Sequence, residues 1–273
     1  MGLRVNTNIA SMNAQRNLSS VSVRLMGNFK RLSSGLRIAS AADDAAGLGI
    51  SERMRSQIRS YGAAQRNAQD GISLVQTAEG ALNEVNSILN RMRELSIQAS
   101  NGTLSTADRS TLDTEYQELI AEIDRIAGTA TFNGVDLLDG TTTSLDIQAG
   151  TNASEIITIS LQDATATTLS LSGLSVSSVS GANASLSVID AAVDTVTTAR
   201  GALGSAQNRL QSAISSISNA AENLAAAESR IRDVDVATET ADLTRNTIMQ
   251  QAAVAVLAQA NVQPQLALNL LQS

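Results

Sequence analysis

Ile189 to Val234 reads IDAAVDTVTTARGALGSAQNRLQSAISSISNAAENLAAAESRIRDV, and bulky residues recur in it every seventh position, at Ile189, Val196, Leu203, Leu210, Ile217, Leu224 and Ile231. Alanine fills the seam positions between them, at Ala192, Ala199, Ala206, Ala213, Ala220 and Ala227, and Val234 closes the run. Spacing of three then four residues, kept in one register throughout, turns a single apolar stripe toward a single partner, which is the pattern of a coiled coil. A helix of this length spans roughly 65 to 70 Å at 1.5 Å per residue, more than the width of a compact domain of this mass. A rod is therefore expected.

The same chain supplies a partner seam at Val75, Ala78, Leu82, Val85, Leu89, Met92 and Ala99, interrupted only by Ser96. A shorter third run follows at Leu112, Tyr116, Leu119, Ile123 and Ile126. Polar Asn101 to Asp108 separate the two runs and can reverse the chain. Asn101-Gly102 favours a turn, Ser105 or Thr106 can cap the next helix, and Asp108 sits in its first turn. The fold class read from this is mainly α: a long antiparallel three-helix coiled-coil rod. Phe29, Tyr61, Tyr116 and Phe132 are the only aromatic residues, so thin layers of Ala, Leu, Ile and Val must form the core in place of large rings.

The middle of the chain changes period. Leu145 and Ile147, then Ile157, Ile159 and Leu161, alternate with polar residues, and Gly140, Gly150 and Gly181 punctuate them. A small β region is expected over 131–182, projecting from the bundle into solvent. For 162–185, rich in Ser, Thr and Ala, the alternative is a disordered linker. Both ends carry weak amphipathic stripes. One follows Val5, Ile9, Met12, Leu18, Val21, Leu25 and Leu32; the other follows Met249, Ala253, Val256 and Ala260 with Leu257 beside it. Pro264 is expected to break the second before Leu266, Leu268, Leu270 and Leu271. Aromatic-poor stripes of this kind should stay disordered until buried against each other and against further copies of the chain.

The inventory excludes whole classes of chemistry. With no His and no Cys, thiol nucleophiles, Cys or His metal centres and His-based acid–base pairs are absent. Asp43 and Asp44 could support only carboxylate chemistry, and Ser40-Ala41-Ala42-Asp43 reads instead as a capping box for the helix that follows. No catalytic, cofactor or metal residue is expected. The net charge of -7 argues against nucleic-acid partners, and no stretch reaches the roughly 18 apolar residues of a membrane span. Met1 to Asn6 lacks an apolar signal core, so export would use a route without a cleaved signal.

Several stretches resemble the bacterial flagellins. VNTNIASMNAQRNL from Val5 to Leu18 is similar to their start, and SSGLRIASAADDAAGLGISERM from Ser33 to Met54 resembles their best-known motif. NRMRELSIQASNGTLS from Asn90 and EIDRIAGTATFNGVDLLDG from Glu122 to Gly140 follow in the expected order, and AAESRIRDVDVATETADLTRNTIMQQAAVAVLAQANVQPQLALNLL from Ala226 to Leu271 ends as flagellins do. Between about Gly140 and Ala182 many flagellins insert outer domains that have almost no counterpart here.

The resemblance implies a structural subunit, exported unfolded by the flagellar type III apparatus, which self-assembles into the extracellular filament of the bacterial flagellum. The alternative is a hook–filament junction protein, which shares flagellin-like ends. It further implies terminal helices, 1–42 and 236–273, lining the filament's inner core; a helical rod over 43–130 and 183–235; and the β region at the outer surface. The implied partners are further copies of the chain, the export chaperone, the filament cap and the junction proteins. Leu257, Leu266, Leu268, Leu270 and Leu271 are the expected assembly residues. The family's recognition positions for Toll-like receptor 5 match Arg91, Leu95 and Glu115, with Leu95 expected beside the seam and free to face outward.

Overall fold

The computed structural model describes residues 7–272, with side chains through residue 262. Val5 and the side chains of Leu266, Leu268, Leu270 and Leu271 lie outside the described residues. The helices are α1 (Ile9–Ser34), α2 (Ala45–Ala99), α3 (Thr106–Thr129), α4 (Val179–Arg232) and α5 (Val236–Gln272). Between α3 and α4 lie two antiparallel hairpins, β1 (Thr131–Phe132) with β2 (Val135–Asp136) and β3 (Ser144–Gln148) with β4 (Ile156–Ser160). The contacts divide the chain into two compact units, Gln57–Glu222 and Met1–Ser56 with Asn223–Ser273, so α2 and α4 contribute to both.

In the Gln57–Glu222 unit, α2, α3 and α4 share one core. The α2 seam from Val75 to Ala99 is fully buried, and on α4 Ile189, Val196, Leu203, Leu210 and Ile217 are buried as well. Further along α4, outside this unit, Leu224 and Ile231 are half-buried. Ion pairs Arg93–Asp190 at 2.7 Å and Glu79–Arg200 at 3.8 Å set α2 antiparallel to α4. A β-carbon on Gly71 would stand 3.3 Å from Leu210 Cδ1 and 3.1 Å from Ile147 Cγ1. That glycine lets α4 and the β3 strand close on α2 together.

Ser96 is no gap in the seam. Leu95 and Ser96 are both fully buried, because this end of α2 faces α3 and α4 at once and its apolar stripe widens accordingly. Tyr116 on α3 and Ser185 on α4 are equally buried, so each helix contributes one polar group. The serine hydroxyls each donate to a carbonyl of their own helix at 2.9 Å, Ser96 to Met92 and Ser185 to Gly181. Burial raises the Tyr116 pKa, opposed by the hydroxyls of Ser185 and Ser96, yet the Tyr116 hydroxyl makes no well-formed hydrogen bond.

Local chemistry starts and ends these helices. Ser105 caps α3: its hydroxyl accepts from the Asp108 amide at 3.2 Å, and Asp108 accepts from the Ser105 amide at 3.1 Å. Buried Arg109 donates from Nε to the Ala99 carbonyl and from Nη2 to that of Asn101, both at 2.9 Å. A cation at the end of α2 thus occupies carbonyls that the helix leaves unpaired. At the start of α2 the expected box, with Ser40 as the cap and Asp43 three residues on, does not cap the helix, which begins only at Ala45. Asp44 is the cap, accepting from the Gly47 amide at 2.9 Å, while Asp43 accepts from the Ser40 amide and hydroxyl and closes the preceding turn.

The β region lies on the helices instead of projecting. β3 and β4 pair with Leu145 opposite Ile159 and Ile147 opposite Ile157, and Ile157 and Ile159 are buried. The β3–β4 turn is closed by Glu155, which accepts from the amides of Thr151 at 2.7 Å and Asn152 at 3.0 Å. Residues 162–178 are coil, but not a free linker: Ala164, Ala166, Leu169, Leu171 and Val176 are buried. Carboxylates on α3 hold this coil, Asp124 accepting from the Ala166 amide at 2.7 Å and Asp113 from that of Val176 at 2.6 Å.

Leu210→Ala should lower stability by about 2 to 5 kcal/mol through the cavity it leaves. Tyr116→Phe should change it by less than about 1 kcal/mol, since the hydroxyl it removes has no good partner; thermal unfolding distinguishes the two. A second expectation concerns pH. Hydrogen bonds from Ser105 hold the Asp108 pKa below its ordinary value, and those from Thr238 do the same for Asp235, the cap of α5. A lowered folded pKa contributes stability that is present above the unfolded value and lost as pH falls through the folded one. Helix starts should therefore fray below about pH 4, and Asp235→Asn, which caps without titrating, should flatten the loss at α5 in amide exchange against pH.

Candidate assembly and recognition surfaces

α1 and α5 pack closely and antiparallel. At one end Ser11 Oγ donates to Asn261 Oδ1 at 2.8 Å. Toward the other, Asn28 donates to Glu239, accepts from Asn246 at 2.8 Å, and Arg31 stands 3.7 Å from the same glutamate. The face α1 buries runs through Ser11, Ala14, Leu18, Val21, Leu25 and Asn28, and the α5 face through Glu239, Leu243, Asn246, Ala253, Leu257 and Ala260. Both keep three-four spacing, but small and polar residues occupy many positions.

Leu18, Val21, Leu25, Ala253 and Ala260 of the expected terminal stripes lie on these faces, but other expected members do not. Ile9 and Met12 are 56% and 55% exposed, and Met249 and Val256 also lie off the seam, whereas Leu257 lies on it. Val23, Met26, Phe29, Ile248 and Val254 are exposed too. Pro264 does not end the C-terminal helix, which continues to Gln272. Sequence reasoning passed over Ser11, Ala14 and Asn28 because it searched for bulk; the three-four spacing itself was the signal that could have found them.

The connectors on either side of this pair meet. Gly35 ends α1 with φ +70°, the left-handed geometry that glycine adopts freely. The Arg37 amide then donates to the Arg232 carbonyl at 2.7 Å, and the Val234 amide to the Gly35 carbonyl at 3.0 Å. Ile38 is buried beneath them. Arg232 bonds Glu52 at 2.6 Å and is the main cause of that carboxylate's lowered pKa.

On the surface shared by α2 and α3, Arg91 donates to Glu115 from Nε and Nη2, at 2.9 and 2.8 Å, and to Glu94 at 3.1 Å. Glu115 first and Glu94 second raise the Arg91 pKa. Arg91 and Glu115 are thus brought together and exposed. Leu95 is not: it is 0% exposed, packed inside the bundle instead of facing outward.

Among the described residues, no group of three or more His, Cys, Asp or Glu side chains could hold a metal ion, and no helix is long and apolar enough to cross a membrane. Comparison with known proteins places the chain directly. Residues 5–143 match the bacterial flagellin N-terminal helical region and residues 186–271 the bacterial flagellin C-terminal helical region. A flagellin of Halalkalibacterium halodurans is 48% identical over 98% of this chain and 99% of its own length. A flagellin of Bacillus subtilis is 44% identical over 99% of this chain and 100% of its own. The crystal structure of Bacillus cereus flagellin, 36% identical, superposes with a TM-score of 0.52 over 60% of this chain and 94% of that one. With both terminal regions matched in order and the likeness running nearly end to end, the chain belongs to the bacterial flagellin family.

Proposed function

We propose that the outward faces of α1 and α5 are the surfaces through which this structural subunit of the bacterial flagellar filament joins further copies of itself. One observation carries the reading. Ile9, Met12, Val23, Met26, Phe29 and Ile248 are all more than half exposed, although the pair has an interior that could have taken them. Large apolar residues left exposed on two paired helices are candidates for an interaction face, and in a homopolymer neighbours cover such a face. The family's members are structural proteins and not enzymes, in keeping with the lack of His and Cys. The rival reading, a hook–filament junction protein, is disfavoured by 44–48% identity to flagellins over nearly the whole chain.

From membership of the family we infer export of the unfolded chain to the cell exterior, with an export chaperone, a filament cap and junction proteins as partners. The same holds for recognition by Toll-like receptor 5. For the receptor, the exposed Arg91–Glu115 pair supports the reading, and buried Leu95 can act only by shaping the surface above it.

Deleting Gln263–Ser273 removes Leu266, Leu268, Leu270 and Leu271, each worth about 1.5 to 3 kcal/mol if fully buried by neighbours. Secreted, unpolymerised protein in the medium is expected, and normal filaments by electron microscopy would refute the assembly role. Arg91→Asp sets a third negative charge beside Glu94 and Glu115 and should reduce receptor signalling by roughly tenfold or more. Titration of monomers on reporter cells checks it, and potency equal to the wild type removes Arg91 from the recognition surface.

A further inference from the structure

α5 passes through Pro264 without ending. Proline has no amide hydrogen, so in a continuous helix the carbonyl four residues earlier, that of Ala260, is left without its helical donor. Ala260 is buried at 6% exposure against α1, where water is a poor substitute. The donor comes from elsewhere in the chain: Asn8 Nδ2 bonds the Ala260 carbonyl at 2.8 Å. The same side chain caps α1, its Oδ1 accepting from the Ser11 amide at 3.1 Å. Ser11 in turn bonds Asn261 on α5. One asparagine therefore serves the start of the first helix and the Ala260 carbonyl of the last, 252 residues away.

We propose that Asn8 replaces the hydrogen bond Pro264 cannot make, so that α5 continues helically beyond the proline only when the start of α1 is docked on it. The residue is a positioning group for assembly. Proline weakens the isolated C-terminal helix at this point, and the docked asparagine restores what is missing. The leucine-bearing last turns thus become helical together with the N-terminal helix, not before it. A subunit exported unfolded would in this way present its final helix only after both ends of the chain have met. The inference rests on the assembly role proposed above for the α1–α5 pair.

The test is a two-by-two set of full-length chains: wild type, Asn8→Ser, Pro264→Ala and the double variant. Serine caps a helix about as well as asparagine and carries no charge, but its hydroxyl is too short to reach across to α5. Alanine at 264 returns the amide hydrogen to the Ala260 carbonyl. Critical concentration for polymerisation and amide exchange of residues 258–272 in filaments are the two readouts. Asn8→Ser should raise the critical concentration roughly tenfold and speed exchange in the proline-containing chain, the usual effect of leaving a buried carbonyl unpaired. In the Pro264→Ala chain the same substitution should change either readout by less than about threefold. An equal effect in both backgrounds, or none in the proline-containing one, overturns the proposal. Wild-type polymerisation reports on the assembly reading by itself, whereas the ratio between backgrounds reports only on Asn8 and Pro264.

Discussion

Three-four packing between helices of small and medium aliphatic residues is the interaction on which every other feature of this chain depends. A seam of that kind is narrow. It buries one stripe per helix and leaves the remaining circumference to be occupied by something else. In the Gln57–Glu222 unit the remainder is taken up within the chain, as α2 turns a widened stripe toward both α3 and α4 and the β3–β4 hairpin covers part of what is left. The α1–α5 pair has no such cover. Ser11, Ala14, Asn28, Glu239, Asn246 and Ala260 share its seam with a few aliphatic residues such as Val21, and Ile9, Met12, Val23, Met26, Phe29 and Ile248 lie off it, exposed.

The contrast between the two seams is chemical. Leu, Ile and Met between α2 and α4 stabilise by area removed from water, each fully buried aliphatic side chain being worth about 1.5 to 3 kcal/mol. Hydrogen bonds such as Asn28–Asn246 contribute less net energy, but they tolerate only one alignment of their partners. The terminal pair is thus strongly specified and weakly held. A subunit that associates with further copies of itself is served by that combination, because neighbouring copies can supply the missing apolar contact.

Much of this was legible in the sequence. The heptads of α2 and α4, the cap at Ser105, the strand period at Leu145 and Ile157, and the flagellin-like motifs all act over short spans where local pattern determines structure. What was misread depends on groups that no local pattern joins. Coil 162–178 looks like a linker because its composition is low in bulk, yet Asp113 and Asp124, more than forty residues earlier, hold its amides. Leu95 reads as off the seam until a third helix is placed beside it. Asp44, not Ser40, caps α2, because the Ser40–Asp43 pair closes a separate turn before the helix. Pro264 reads as a stop because its compensating donor, Asn8, stands at the far end of the chain.

The β3–β4 turn carries a consequence for how such a subunit can diversify. Glu155 closes it by accepting from the amides of Thr151 and Asn152 and from the Asn152 side chain, and residues 151–155 at its tip are exposed. Lengthening a loop whose ends are already held costs little, about 0.6 kcal/mol for each doubling. Extra sequence grafted at this tip would leave the β3–β4 register, the α3-bound coil and the helical core untouched. The turn is a natural port for antigenic or adhesive additions, and evolution could enlarge the subunit there without renegotiating its packing.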